Sequence, residues 1–250
     1  MLSGEHIPQD WYAQSFGALY PVIYSHRTVE AAAPEAEFAA ARLNLNGQET
    51  ALDLACGTGR HLVHLVKLSK HAVGLDYSTD LLALARRGLG PAAALVQGDM
   101  RDLPFQNSFD AVLCFFTSFG YFLDEAENQQ TARCIARALK PGGRFFIDHM
   151  NAGYVSAHLE PETRRSAEDL TILEERWIDK VSRRINKRTR VLQDDAQRAE
   201  FHESVRLYER EELEAALAAA GLRVVCVDGN YDGAAYGPSE PRMLVFGEKA

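Results

Sequence analysis

The sequence lacks any apolar run approaching the roughly 20 residues of a membrane-spanning helix, so we expect no transmembrane segment. Residues 1–10 are polar and lack the apolar region of a signal peptide. The few cysteines show no CxxC spacing, which predicts neither a zinc site nor an iron–sulfur cluster and indicates a reducing compartment. We therefore expect a cytoplasmic protein without a metal. The four cysteines are Cys56, Cys114, Cys134 and Cys226.

Basic residues are also in short supply. The 27 lysines and arginines face 35 acidic residues, and the net charge of −8 disfavours a general nucleic-acid binder. One local exception is the run Arg183–Arg190, which could suggest RNA. Its charges alternate with other side chains and lack nearby aromatic residues for base stacking, so a solvated strand face is the favoured interpretation. We expect no DNA partner and regard RNA as the weaker alternative.

Short apolar runs alternate with helical patterns over residues 50–149, which is typical of a parallel sheet with helices on both faces. Strands covered on both faces read as nearly continuous apolar runs. The predicted helices cover residues 60–69, 79–87 and 125–139. The predicted strands are Ala51–Ala55, Ala72–Leu75, Ala93–Val96, Asp110–Phe116 and Arg144–Asp148.

The flanking segments follow a different rhythm. Residues 1–49 are predicted to form an aromatic-rich helical lid and a first helix over 28–43. Residues 155–208 alternate charged and apolar side chains, which predicts an insertion of three antiparallel strands at 170–178, 183–192 and 199–208. A closing helix and hairpin are expected over 209–250. The chain is thus predicted to be one α/β domain, with a core at 50–150 and a β insertion.

The loop after the first strand carries the sharpest motif, Cys56-Gly57-Thr58-Gly59-Arg60, with a helix following directly. Its glycines permit a tight turn and let the backbone approach a ligand. A dinucleotide fingerprint needs a third small residue, and Leu62 stands at that position. A bound pyrophosphate is therefore disfavoured.

Two acids close the next strands. Asp76 ends the second strand, where a carboxylate can accept hydrogen bonds from ribose hydroxyls. Asp99 ends the third strand and can accept from an adenine amino group, while Met100 packs against the ring. A nucleoside with a short charged tail fits this pattern better than a dinucleotide.

Five pieces of sequence in order are similar to those of class I S-adenosylmethionine (SAM)-dependent methyltransferases: LDLACGTGR, GLDYS, QGDMRDLPF, FDAVLCFF and LKPGGRFFID. The resemblance implies a Rossmann-like, seven-stranded, mostly parallel sheet with a reversed final hairpin. It implies that the glycine loop lies under the methionine part of SAM, that Asp76 binds the ribose, and that Asp99 and Met100 bind the adenine. The expected cofactor residues are Ala55, Cys56, Gly57, Thr58, Gly59, Asp76, Tyr77, Ser78, Gly98, Asp99, Met100 and Phe115.

The segment Cys114–Tyr121 leaves the fourth strand beside the expected ligand crevice and should flank the sulfonium. It lacks the Asn/Asp-Pro-Pro-Tyr motif of amino-methylating DNA and protein-glutamine enzymes, which argues against those substrates. The final hairpin loop, residues 228–241, is expected at the same edge, and its Tyr236 is predicted to contact the acceptor. The expected acceptor-binding residues are Tyr24, Thr117, Tyr121, Tyr231, Tyr236 and Arg242.

Methyl transfer from a sulfonium is an in-line displacement that requires positioning and exclusion of water, and a base only for some acceptors. His149, just beyond the fifth strand, and Tyr20 in the amino-terminal segment are the candidate catalytic residues. The alternative is that His149 lies at the end of the strand with its hydrogen bonds made within the protein, and has no catalytic role.

The insertion is similar in architecture to the antiparallel cap of sugar N-methyltransferases and glycine N-methyltransferase-like enzymes. This resemblance implies a small-molecule acceptor with a nitrogen or oxygen nucleophile. A tRNA methyltransferase and a non-catalytic SAM-binding protein remain the alternatives. Pairing of an edge strand of the cap into a homodimer is a further expectation.

Overall fold

The structure, a computed structural model, describes residues 6–250. Two sheets organise these residues: a seven-stranded sheet and a separate four-stranded antiparallel sheet. The first five residues of the predicted lid lie outside the described range. Within that range no helix is both long and apolar enough to cross a membrane.

The seven-stranded sheet has the order β10-β11-β5-β4-β1-β2-β3. All neighbouring pairs are parallel except those of β11, which runs antiparallel to both β10 and β5. The predicted Rossmann-like sheet with a reversed final hairpin is therefore confirmed. Its strands are β1 (Thr50–Leu54), β2 (His71–Asp76), β3 (Ala94–Gln97), β4 (Phe109–Cys114), β5 (Leu139–Met150), β10 (Leu222–Asp228) and β11 (Arg242–Lys249).

Helices cover both faces of this sheet and bury one apolar layer on each. On one face the core includes residues of α3, α4 and α5, and on the other face residues of α6 and α8. Side chains alternate between the layers along each strand, as the pleat requires, with Val112 in one layer and Leu113 in the other. The bounds are α3 (Val29–Arg42), α4 (Leu62–Leu68), α5 (Thr79–Leu89), α6 (Glu125–Ala138) and α8 (Arg210–Ala219), with a 3₁₀ turn at Gly90–Ala92.

The insertion contains one strand more than predicted. The four strands pair in sequence order, and the unpredicted one is the edge strand β6. Its sequence ETRRSA has one small apolar residue, so it carries no apolar alternation to detect. The strands are β6 (Glu162–Ala167), β7 (Leu170–Asp179), β8 (Arg184–Gln193) and β9 (Ala196–Arg206), and the short helix α7 (Ala152–Ala157) precedes them.

The amino-terminal segment lies between the two sheets. It forms two short helices, α1 (Trp11–Ser15) and α2 (Tyr20–Ile23). Ile23 and Tyr24 are buried against Ile172 and Val191 of the second sheet. This packing brings the amino-terminal aromatic residues to the carboxyl edge of the large sheet.

Candidate functional site

The glycine loop leaves β1 through a series of left-handed residues. Ala55, Gly57 and Gly59 all have positive φ, at 60°, 55° and 80°. The loop is fixed by backbone hydrogen bonds from the Cys56 N–H to the Leu75 carbonyl (3.0 Å) and from the Gly59 N–H to the Cys56 carbonyl (2.9 Å). Helix α4 starts at Leu62, two residues later than predicted. The turn therefore presents backbone rather than side chains to the sheet edge.

Asp76 connects the glycine loop to the end of β2. Its carboxylate accepts from the Gly57 N–H (2.7 Å) and the Ser78 N–H (2.8 Å). Burial raises the pKa of Asp76, and the backbone N–H donors lower it by a smaller amount, so the pKa is raised overall. Each carboxylate oxygen retains acceptor capacity after one such bond, so Asp76 can still accept from hydroxyls of a ligand.

Asp99 follows β3 and is bound by Arg101, whose Nε lies 3.0 Å from Oδ1. Burial alone would raise the pKa of Asp99, but the Arg101 guanidinium and backbone N–H outweigh it and lower the pKa. Arg101 also donates to Tyr12 Oη at 2.9 Å. The acid at this strand end is thus ionised and tied to the amino-terminal segment.

These elements surround a cavity at the carboxyl ends of β1, β2 and β3, with about 660 Å³ of empty space including the part open to solvent. That size is within the range of small-ligand pockets. Backbone from the glycine loop, two carboxylates and several aromatic rings form the wall, which fits a nucleoside with a short charged tail. The lining residues are Tyr12, Phe16, Tyr20, Ala55, Gly57, Leu75, Asp76, Tyr77, Ser78, Leu81, Gly98, Asp99, Met100, Ser118, Tyr121 and Phe122.

Eight of the twelve expected cofactor residues line this cavity, and four do not: Cys56, Thr58, Gly59 and Phe115. Cys56 is buried, with its sulfur 2.8 Å from where a Gly74 Cβ would stand. A Cβ on Gly59 would lie 2.9 Å from Leu89 Cδ1, so the missing side chain makes room for α5 rather than for a ligand. Phe115 is buried and stacked on the His61 ring, with centroids 3.9 Å apart.

His149 lies away from the cavity, contrary to our expectation. Strand β5 continues through Met150 because it pairs with β11, and Met243 is the partner of His149. The histidine is fully buried, with Nδ1 2.9 Å from the Met150 carbonyl and its ring against Tyr208. Burial lowers its pKa to about 4. A buried imidazole that does not line the cavity is not positioned to contact a ligand there.

Of the other predicted acceptor and catalytic residues, Tyr20 and Tyr121 line the cavity. Tyr24 is buried against the second sheet, where its hydroxyl contacts Glu203 and Lys187. Tyr236 lies against the core, 3.4 Å from Asn151 Oδ1. These last two are therefore not brought to the cavity wall.

The remaining three, Thr117, Tyr231 and Arg242, do not line the cavity but lie around Asp148, with Thr117 in contact through Arg242 and the Asp148 backbone carbonyl. Asp148 is completely buried and accepts from Tyr231 Oη (2.9 Å), Arg242 Nε (2.7 Å) and the Phe116 N–H (2.8 Å). Arg242 Nη2 also lies 2.8 Å from Thr117 Oγ1. The final hairpin loop thus reaches this edge of the sheet through Tyr231, but none of residues 228–241 lines the cavity. Its partner, Asp148, is an acid that our prediction placed only at the end of the fifth strand.

Ser118 lies in the segment 114–121 that we expected beside the ligand, although it was not named as a contact. The other unnamed lining residues are Tyr12, Phe16, Leu75, Leu81 and Phe122. The amino-terminal rings pack on the segment after β4, with Phe16 stacked on Tyr121 at 5.6 Å. Ser78 Oγ donates to the Phe16 carbonyl at 2.6 Å and fixes this segment over the cavity. The excess of aromatic residues before residue 27 was the only sequence signal for this wall.

The basic run of the insertion is directed into the protein or paired with acids. Arg184 is buried and donates to the carbonyls of Phe122, Gly120 and Tyr121, each at 2.9 Å. Burial lowers its pKa to about 10. Arg190 pairs with Glu175 at 2.7 Å. The run therefore joins the second sheet to the loop after β4 instead of forming a free basic surface.

Comparison with known proteins gives matches over most of the chain. A model of the methyltransferase domain family matches residues 51–143. The chain is 32% identical to dTDP-3-amino-3,6-dideoxy-alpha-D-glucopyranose N,N-dimethyltransferase of Streptomyces fradiae, covering 90% of this chain and 91% of that protein. It is 31% identical to dTDP-3-amino-3,4,6-trideoxy-alpha-D-glucopyranose N,N-dimethyltransferase of Streptomyces venezuelae, covering 89% and 96%.

A solved structure extends the likeness to three dimensions. It is a SAM-bound amino pentose methyltransferase of Micromonospora echinaspora, involved in calicheamicin biosynthesis. It superposes with a TM-score of 0.67 at 26% identity and covers 99% of this chain and 100% of that chain. The similarity therefore extends well beyond the residues that the family model matches.

Proposed function

We propose that this chain, which belongs to the class I SAM-dependent methyltransferases, methylates the amino group of an amino sugar carried on a nucleotide. Family membership makes the chain a SAM-dependent methyltransferase, and its similarity to N,N-dimethyltransferases supports a small-molecule nitrogen as the acceptor. The observation that supports the sugar acceptor is the extent of similarity to the two Streptomyces N,N-dimethyltransferases, about nine-tenths of each sequence. That extent includes acceptor-side regions as well as the cofactor core.

We assign the cofactor contacts to the residues of the cavity wall. Asp76 would accept from the ribose hydroxyls, and Asp99 with Met100 would bind the adenine. The backbone from Ala55 to Gly57 would lie under the methionine part. The unused acceptor capacity of Asp76 and the position of both acids on one cavity wall support this orientation.

The aromatic wall would surround the reacting end. SAM supplies a methyl group already activated on a positively charged sulfonium. Phe16, Tyr20 and Tyr121 lie together at the cavity, and their ring faces favour a cation and exclude water. A neutral amine attacks without a base, so these residues need only hold it in line.

Tyr20 is our candidate for orienting the amine. Its hydroxyl accepts from Arg27 Nη1 at 3.2 Å, which leaves its own O–H free to rotate toward an acceptor nitrogen. His149 has no part in this arrangement. Replacement of Tyr20 by phenylalanine should therefore affect the acceptor more than the cofactor.

RNA methylation is the weaker alternative. The arginines that suggested it are buried, as Arg184 is, or paired with acids, as Arg190 is. Phosphate contacts require free cations and give a strong dependence on salt. A cytoplasmic location and a homodimer formed through the second sheet also remain proposals.

Two steps test the proposed function. Calorimetric titration with the product S-adenosylhomocysteine, with NAD as control, should show saturable binding of the former alone. Incubation with SAM and a dTDP-linked 3-amino-3,6-dideoxyglucose should then give products carrying one and two added methyl groups by mass spectrometry, whereas the 3-hydroxy analogue should remain unchanged. Cofactor binding without methylation of any amino sugar would contradict the acceptor, and methylation of the hydroxy analogue would contradict the nitrogen specificity.

A further inference from the structure

Arg101 follows the end of β3 and connects four separate parts of the chain. Its guanidinium donates to Asp99 and Glu127 and, through Nη2 at 2.9 Å, to the hydroxyl of Tyr12. The guanidinium carbon also lies 4.3 Å from the centroid of the Phe122 ring. These partners belong to the loop after β3, to α6, to α1 and to the loop after β4. One side chain therefore fixes the relative positions of four segments.

Arg101 lies behind the cavity wall rather than in it. Three of its partners, Tyr12, Asp99 and Phe122, line the cavity, whereas Arg101 does not. Its side chain is 26% exposed, and its backbone carbonyl accepts from Gln130 Nε2 of α6 at 3.3 Å. Arg101 is therefore anchored to the protein independently of the cavity, and it can orient groups that a ligand contacts.

The contacts with Arg101 occupy most of the acceptor capacity of Asp99. The backbone N–H of Arg101 lies 2.8 Å from Oδ1, and Nη2 lies 2.6 Å from Oδ2. The Nε is shared between the two oxygens at 3.0 and 3.1 Å. A carboxylate offers about four lone-pair sites, so these three donors leave about one of them. Because Asp99 lines the cavity, that site is available to a ligand, and Arg101 determines its direction.

The charge on Asp99 determines which ligand groups this site accepts. The lowered pKa of Asp99 keeps the carboxylate ionised at neutral pH. An ionised carboxylate only accepts hydrogen bonds, so it favours an amino group and disfavours a carbonyl oxygen at the same position. Adenine has an amino group at position 6, where hypoxanthine has a carbonyl oxygen. Asp99 in this state can therefore distinguish the two bases.

Tyr12 joins the amino-terminal segment to the same group. The Nη2 that donates to Asp99 also donates to the Tyr12 hydroxyl, and the guanidinium carbon lies 5.6 Å from the Tyr12 ring centroid. The ring makes edge contacts with Tyr77 and Phe122 at centroid distances of 5.6 and 5.4 Å, and all three rings line the cavity. Arg101 therefore holds both an acid and an aromatic ring of the cavity wall.

We propose that Arg101 is a positioning residue for the cofactor, which directs the remaining acceptor site of Asp99 toward the adenine amino group and holds Tyr12 at the cavity wall. This role rests on the assignment of adenine to Asp99 under the proposed function and is independent of the methyl acceptor. Arginine suits the role because its planar guanidinium binds a carboxylate through paired hydrogen bonds and has further donors for a second group.

Arg101→Gln tests this role in calorimetric titrations with S-adenosylhomocysteine and with S-inosylhomocysteine, in which a carbonyl oxygen replaces the adenine amino group. Asp99→Ala is titrated in the same way to identify the discriminating group. Arg87→Gln, on the exposed side of α5, is the matched control. Thermal melts establish that each variant is folded, and Arg101→Lys, which keeps the charge without the paired hydrogen bonds, replaces Arg101→Gln if the latter is not.

The wild type and Arg87→Gln should bind S-adenosylhomocysteine about tenfold or more tightly than the inosyl analogue, and Asp99→Ala should abolish this preference. Arg101→Gln should reduce the preference to about threefold or less, because Asp99 is no longer held in one orientation. A preference that is unchanged in Arg101→Gln, or loss of both ligands alike, would overturn the role. No preference in the wild type, or one that survives in Asp99→Ala, would overturn the placement of adenine and this role with it. Failure of amino-sugar methylation would be seen only in the turnover assay.

Tyr12→Phe, which removes only the hydroxyl, tests the second part of the role, with Tyr154→Phe in α7 as control. Tyr12→Phe should weaken both ligands about fivefold and leave the preference unchanged. The double variant Tyr12→Phe/Arg101→Gln should bind the inosyl analogue no more weakly than Arg101→Gln alone, because the hydroxyl has already lost its partner. Wild-type affinity in Tyr12→Phe, or additive losses in the double variant, would overturn the link between Arg101 and Tyr12.

Discussion

The carboxylate of Asp148 and the guanidinium of Arg242 join the fifth strand to the last strand at the ligand edge, with Nε 2.7 Å from Oδ1. Asp148 is completely buried, and the Arg242 side chain is only 20% exposed. The pair fixes the positions of Phe116 and Tyr231 as well, because both donate to the same carboxylate. The edge is therefore organised around one buried charge.

Replacing Asp148 with asparagine should destabilise the protein by about 3 kcal/mol, because it leaves the Arg242 charge partly buried without its partner. Urea unfolding at neutral pH measures the loss. Asp232→Asn, at an exposed position in the same hairpin region, is the control and should change little. Equal stability of the two variants would show that solvent stabilises the Arg242 charge when the Asp148 carboxylate is removed.

Gly59 should not tolerate alanine. Its φ of 80° is unfavourable for a residue with a side chain, and the new Cβ would meet Leu89 and Ala85 at 2.9 and 3.2 Å. Gly47 has a similar φ of 85° with open space around it. Gly47→Ala therefore measures only the cost of placing a side chain at positive φ, about 1 kcal/mol. We expect Gly59→Ala to cost about 2 kcal/mol more than this in urea unfolding. Equal losses at the two positions would mean that α5 shifts freely to accept the methyl group.

Asp53 in β1 should make stability depend on pH. It is 1% exposed, its Oδ2 has no hydrogen-bond partner among the described residues, and burial raises its pKa to about 8. The raised pKa means that the contribution of the protonated Asp53 carboxyl to stability is fully present below its pKa in the unfolded chain, near 4. This contribution is lost as the pH rises toward 8. Asp53→Asn removes this titration.

The difference in unfolding free energy between Asp53→Asn and the wild type should therefore increase from pH 5 to pH 8, on the order of a few kcal/mol, and remain constant above that. Urea unfolding at pH 5, about 7 and about 9 provides the measurement. A difference that is independent of pH would show that Asp53 is already ionised in the folded protein.

Asp76 provides a test of the cofactor assignment. An asparagine side chain has only one oxygen, so it cannot replace the two carboxylate oxygens that accept from the Gly57 and Ser78 N–H groups. The substitution should therefore destabilise the turn and weaken the expected ribose contact. We expect Asp76→Asn to weaken S-adenosylhomocysteine by about tenfold or more in calorimetry. Asp102→Asn, whose side chain is 92% exposed, should bind as the wild type does. Wild-type affinity in Asp76→Asn would refute the assignment.

The sequence was sufficient to predict those parts of the fold and of the site that depend on local sequence patterns. The glycine loop, Asp76 and Asp99 follow strands whose apolar runs are continuous, and the carboxyl ends of parallel strands meet at one edge whatever the remaining packing. The cavity wall contributed by Leu75 and Leu81 follows from the same motif, once the loop geometry is known.

Long-range packing explains what the sequence did not reveal. Tyr12 and Phe16 reach the cavity because α2 is anchored on a sheet formed some 150 residues later, and no local period encodes that contact. His149 illustrates the converse. It was predicted beyond a strand end, but pairing with β11 extends β5 and encloses the ring. The Asp148 cluster has the same origin, since its donors come from distant segments.

Arg184 ties the second sheet to the carbonyl groups of three consecutive residues, Gly120 to Phe122, in the segment that lines the cavity. The inserted sheet is thus not an exchangeable module. A chimera that replaced it with the equivalent region of a relative, in order to change the acceptor, would have to retain an arginine at this position or redesign the loop that it holds. A change in the inserted sheet is therefore transmitted to the wall of the cavity, and the two would have to be engineered together.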